Sequence, residues 1–150
     1  MKTERDFRNY LAGAALAFGI ILITFQLTRI LLAGWSIEEL TSIEPLLSNV
    51  WLGAHLIGGL IGGFLVARKR QIDYIQTGTL VAVLAYIFEF IYNFLVENMS
   101  TDIYALVSLM IGGIVGAMFF RAGIERGKLE SSKRKKATVP EYETEKTPES

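Results

Sequence analysis

The sequence predicts an all-α integral membrane bundle of four transmembrane helices, and three observations carry that prediction. Long apolar runs alternate with short charged blocks, basic residues collect in every second block, and small residues recur at helical spacing inside the runs. A hydrocarbon core about 30 Å thick is crossed by roughly 20 apolar residues at about 1.5 Å each. Four runs reach that length, over about 11–32, 46–67, 75–96 and 103–120. Each must be helical, because backbone in hydrocarbon has to satisfy its own hydrogen bonds.

The first run follows Lys2, Arg5 and Arg8. At about 22 residues it exceeds the 7–15-residue core of a cleaved signal, and it carries Gln26 and Arg29 near its end. It therefore reads as a span that stays in the membrane. In the loop after it, Ser36 and Glu39 have the spacing of a capping box, which predicts a short helix. Trp35, Ile37 and Leu40 suit the headgroup layer there. Pro45 suits the first turn of the second span, where a missing N–H costs little. The third span follows Arg68, Lys69 and Arg70, and Ser100 or Thr101 is the expected cap of the fourth. Residues 1–122 thus form one four-helix domain. Residues 123–150 read as a charged tail, largely disordered, basic at Lys133, Arg134, Lys135 and Lys136 and acidic beyond. Those four cations are placed to contact anionic lipid headgroups.

Charge sets the direction. Of the 15 basic residues, 14 fall before the first span, between the second and third, or after the fourth. The other two loops carry Glu38, Glu39, Glu44, Glu97 and Asp102 and no cation. Basic flanks stay cytoplasmic. The expectation is a multi-pass protein of the cell membrane with both termini cytoplasmic.

Composition removes several classes of function. With no cysteine there is no disulfide, thiolate metal site or cysteine nucleophile. One histidine, His55, cannot make a multi-histidine metal site within one copy. No cofactor, metal or nucleic acid is expected; the partners are membrane lipids, with a homo-oligomer or another membrane protein left open.

Gly58, Gly59, Gly62 and Gly63 in the second span are echoed 54 residues later by Gly112, Gly113, Gly116 and Ala117 in the fourth. The echo suggests two similar helical hairpins. Small residues let helix backbones approach closely, so all seven glycines are expected at helix-packing seams, within the bundle or between subunits.

Polar residues inside the spans are the candidates for chemistry. At 100° per residue, Glu89 and Asn93 share a face with Gly78, Ala82 and Ala85. His55 falls with Gly58, Gly59 and Gly62, and Ser108 with Ala105, Gly112 and Gly116. Gln26 and Arg29 fall with Ala12, Ala15 and Gly19. The polar groups are thus expected to point inward from small-residue faces. Their depths range from roughly 5 Å for Arg29 and Asn93 to roughly 14 Å for His55, which suggests one cluster in the outer half. Arg29 and Glu89 are the expected ion pair, because a carboxylate at that depth needs a partner, a proton or water.

The intramembrane glutamate is similar to that of the small multidrug exporters, but it stands in the third span rather than the first. The Gly-Gly-x-x-Gly pattern of Gly58–Gly62 is similar to one in the small fluoride channels, without that family's third-span aromatic and hydroxyl segment. Neither likeness assigns a family. The function expected is that of a non-enzymatic scaffold or accessory subunit with a buried polar cluster. The alternative is a small oligomeric transporter or channel with Glu89 as its titrating or ion-binding carboxylate.

Overall fold

A computed structural model describes residues 2–69, 73–97 and 102–137. The described chain is all helical: α1 (Lys2–Leu31), α2 (Ile37–Ser42), α3 (Glu44–Lys69), α4 (Tyr74–Tyr92, continued by a π-helical turn over Asn93–Glu97) and α5 (Ile103–Ala137). Four of them are long and apolar enough to cross a membrane, over Phe7–Leu31, Glu44–Lys69, Tyr74–Val96 and Ile103–Ile124. The protein is a four-helix membrane bundle.

The helices run alternately up and down. One end of the bundle, the basic end, carries Arg8, Arg68, Lys69 and Arg121; the other, the acidic end, carries Glu38, Glu39, Glu44 and Asp102. At the acidic end, α2 lies between α1 and α3 with the expected capping box. The Ser36 hydroxyl accepts from the Glu39 N–H at 3.3 Å, and the Glu39 carboxylate accepts from the Ser36 N–H at 2.7 Å. Pro45 sits in the first turn of α3. Ser100 and Thr101 lie outside the described residues; the cap seen on α5 is Asp102, whose carboxylate accepts from the Tyr104 N–H at 3.1 Å.

Packing follows the small residues. Helices α3 and α5 run parallel and share the longest interface, α1 packs against α3, and α4 fits against α5. A Cβ added at Gly58 would lie 2.8 Å from the Ala17 carbonyl, and one at Gly62 would lie 2.7 Å from that of Gly13. Gly59 and Gly63 meet the backbone of α5 at Leu109 and Gly113, while Gly112 and Gly116 meet α3 at Leu56 and Leu60. Gly113 also meets Gly78 on α4, where a Cβ would stand 2.6 Å from the carbonyl. Close backbone approach gives van der Waals contact where lipid offers no hydrophobic drive. The resulting core contains Ala14, Ala17, Ile21, Ala82, Ala85 and Leu109.

Three features differ from the sequence expectations. In α1 the buried face is Tyr10, Gly13, Ala14, Ala17 and Ile21, while Ala12, Ala15 and Arg29 are exposed. Small residues surround this helix from Ala12 to Gly19, so they mark no single face, and assigning the face from Gln26 and Arg29 rotated it. Second, α5 stays helical to Ala137, which covers residues 123–137 of the segment expected to lack structure. That stretch holds no proline and is rich in Lys, Arg and Glu, which are good helix formers. The tail beyond Ala137, and the side chains of Lys133, Arg134, Lys135 and Lys136, lie outside the described residues. Third, the two hairpins are not equivalent: α3 touches α4, whereas α1 and α5 do not meet among the described residues.

Candidate functional site: a buried histidine and glutamate beneath an open cavity

A cavity of about 690 Å³ enters the bundle from the acidic end. Its longest wall is one face of α3, where Glu44, Leu47, Ser48, Trp51, Leu52 and His55 recur at helical spacing. Phe25 of α1, Glu89 and Asn93 of α4, and Asp102, Tyr104 and Ala105 of α5 complete it. The helices stand apart here because aromatic side chains replace glycine. Phe25 and Trp51 meet edge to face at 4.9 Å between ring centres. The π-helical turn begins at Asn93, which widens the end of α4 at the cavity wall.

At the floor, His55 is 3% exposed and Glu89 7%. Each reaches the interior by the small-residue stripe of its own helix: Gly58, Gly59 and Gly62 below His55, and Ala82 and Ala85 below Glu89, all buried. The imidazole Nδ1 stands 2.6 Å from the Trp51 carbonyl, one turn earlier on α3. A carbonyl only accepts, so Nδ1 carries hydrogen and donates to it. This fixes the ring with Nε2 facing the Glu89 oxygens at 3.0 and 3.1 Å.

That arrangement holds one shared proton. An Nε2 lone pair facing a carboxylate anion would be repulsive, so a hydrogen lies between them. The pair is either imidazolium with carboxylate or neutral imidazole with carboxylic acid, and both have zero net charge. Removing the proton leaves one negative charge on a pair of buried side chains, a costly state unless a cation replaces it.

The structure divides the six residues expected to form one polar cluster. It brings His55, Glu89 and Asn93 together at the cavity. The Gln26 amide instead donates to the Tyr92 hydroxyl at 3.1 Å, on the neighbouring α1–α4 seam. Arg29 is exposed and lies over the Phe25 ring, 5.5 Å from its centre. The expected Arg29–Glu89 pair is therefore replaced by His55–Glu89. Arg29 is near the helix end and long enough to reach the headgroup level, whereas the shorter, deeper Glu89 needs a partner at its own depth. Ser108 is half-buried on α5 and is not among the cavity residues.

Sequence reasoning missed Phe25, Trp51, Tyr92 and Tyr104. A usable signal was the Trp51–His55 spacing of one helical turn, which brings an imidazole within reach of the backbone carbonyl four residues back. Outside the membrane, the Ser36 backbone and hydroxyl hold the Glu39 carboxyl below its ordinary value. Among the described residues no group of three or more His, Asp or Glu side chains is arranged to hold a metal ion. Comparison with known protein families, with curated proteins and with solved structures finds no match for this chain.

Proposed function

We propose that this is a small multi-pass membrane protein that binds a cationic small molecule in the acidic-end cavity in exchange for the proton of the His55–Glu89 pair. The observation that carries the reading is that pair, buried at the floor of an open cavity. Among the described residues the cavity wall adds two further carboxylates, Glu44 and Asp102, and no Lys or Arg. Trp51, Phe25 and Tyr104 supply aromatic surface, and an aromatic face attracts a desolvated cation by about 2 kcal/mol. Asp102 is also the cap of α5, so Glu89 is the carboxylate whose position has no structural duty at a helix end.

The exchange needs no covalent step and no cofactor. The acidic end faces outside and the basic end the cytoplasm, in keeping with the distribution of Lys and Arg. In the accessory-subunit reading, glycine seams would recruit a partner. The seven glycines face helices of the same chain, which supports the binding reading over one in which they recruit a partner.

The test is calorimetry of benzyltrimethylammonium binding to the protein in nanodiscs, in two buffers of different ionisation enthalpy. The proposal requires saturable binding with release of about one proton, and loss of that release in Glu89→Gln. Absence of saturable binding, or unchanged proton release in the variant, overturns it.

A further inference from the structure

A second groove, of about 470 Å³, lies at the opposite, basic end between α1 and α3. We propose that it is a binding site for the phosphate headgroup of an anionic phospholipid. Arg68 and Lys69 line it with Asn9, and its apolar wall includes Ala12 and Leu65. Arg8 stands one turn before Ala12 and therefore on the same side of α1. Among the described residues no carboxylate lines the groove. Neither Arg68 nor Lys69 makes an ion pair with a described carboxylate.

The two cations at the last turn of α3 also complement its helix dipole, but that role requires no cavity between helices. The groove adds three donors of different length beside an apolar wall. Ala12 is exposed and Leu65 is 38% exposed, so the wall is open to the lipid phase. A free phosphate would satisfy the cations and leave that wall without a partner. A phospholipid places its phosphate on Arg68, Lys69 and Asn9 and one acyl chain along Ala12 and Leu65. Basic pockets between helices at a membrane edge have this chemistry in general. The site is at the far end of the bundle from His55 and Glu89, so it stands or falls independently of the proposed exchange.

The test is native mass spectrometry of protein released from nanodiscs containing phosphatidylcholine with a minority of phosphatidylglycerol. The expected result is one phosphatidylglycerol retained in preference to phosphatidylcholine. Each charge removed is expected to weaken retention about fivefold, so Arg68→Gln with Lys69→Gln lowers it roughly 25-fold. Ala12→Phe fills the groove without changing charge or the buried core, and it is expected to abolish retention as well. Equal retention of both lipids overturns the site, as does retention unchanged in both variants. Displacement of the lipid by glycerol phosphate alone overturns the lipid assignment. Loss of retention only when Lys133, Arg134, Lys135 and Lys136 are all changed to Gln places the lipid on the tail and overturns the groove.

Discussion

The two ends of the bundle are built from the same four helices and differ in what separates them. Toward the basic end, glycine and alanine bring backbones into contact: Gly62 against Gly13, Gly63 against Gly113, and Gly116 against Leu60. Toward the acidic end, Phe25, Trp51 and Tyr104 stand where the glycines stood, and a cavity of about 690 Å³ opens between the helices. The depth at which His55 meets Glu89 is where one regime gives way to the other. Along α3 the change takes about one turn, from His55 to Gly59. Helix spacing is thus set locally by side-chain size, and a bundle of four spans can be closed along its α3–α5 seam at one end and open between its helices at the other.

The largest expected effect comes from adding one carbon to the glycine-packed seam. Gly63→Ala places a Cβ on the Gly113 backbone, which cannot move aside as a flexible side chain could. Its cost is expected to be about 3 kcal/mol or more. Gly53 on the same helix has nothing within 4 Å of the position a Cβ would take. Gly53→Ala is expected to leave stability unchanged or raise it by up to about 1 kcal/mol, through backbone entropy. Thermal unfolding in one detergent measures both, and equal effects would erase the distinction between the ends.

At the boundary, His55→Ala leaves the Glu89 carboxyl without its partner and is expected to cost about 3 kcal/mol. Glu89→Gln keeps a donor toward Nε2 and is expected to be close to neutral. In His55→Ala with Glu89→Gln, a large part of the single-variant loss should return, because no buried charge remains. A double variant no better than His55→Ala alone would contradict the pairing.

A smaller effect tests the buried packing around Thr77. The Thr77 hydroxyl is fully buried and has no hydrogen-bond partner among the described residues. Thr77→Val keeps the shape and removes the unmet group, so it is expected to stabilise by about 1 kcal/mol. Destabilisation would mean that the hydroxyl meets a partner such as water.

The smallest effect lies at the open end. The folded pKa of Glu39 is lowered by Ser36, so its contribution is fully present above the ordinary carboxylate range. That contribution is lost as pH falls through the folded value. Hydrogen exchange at the Ser36 and Glu39 amides should quicken as the solution is acidified through that range, after correction for the intrinsic pH dependence of exchange. The backbone amides of α3 should change less.

Most of the fold was legible because its causes are local. Apolar length, the capping box at Ser36 and the glycine stripes each act within a few residues. The inward faces of α3 and α4 were legible for the same reason, since Gly58 with Gly62 and Ala82 with Ala85 mark them clearly. The face of α1 was not, because small residues surround it from Ala12 to Gly19. The site was half legible. Depth and facing select His55 and Glu89, but pairing depends on which helices are neighbours and how they are rotated. Arg29 looked like the natural partner of Glu89 on charge alone. The rotation of α1 leaves it outside, over Phe25.

The central claim, one proton shared by His55 and Glu89, can be tested on a single residue because the chain contains one histidine. Nitrogen-15 spectra of histidine-labelled protein in nanodiscs report the protonation of Nδ1 and Nε2 separately. The account predicts that Nδ1 carries one hydrogen and that a second lies between Nε2 and Glu89. A neutral ring with hydrogen on Nε2 and a bare Nδ1 would contradict it, since the pair would then hold no exchangeable proton for a cation to replace.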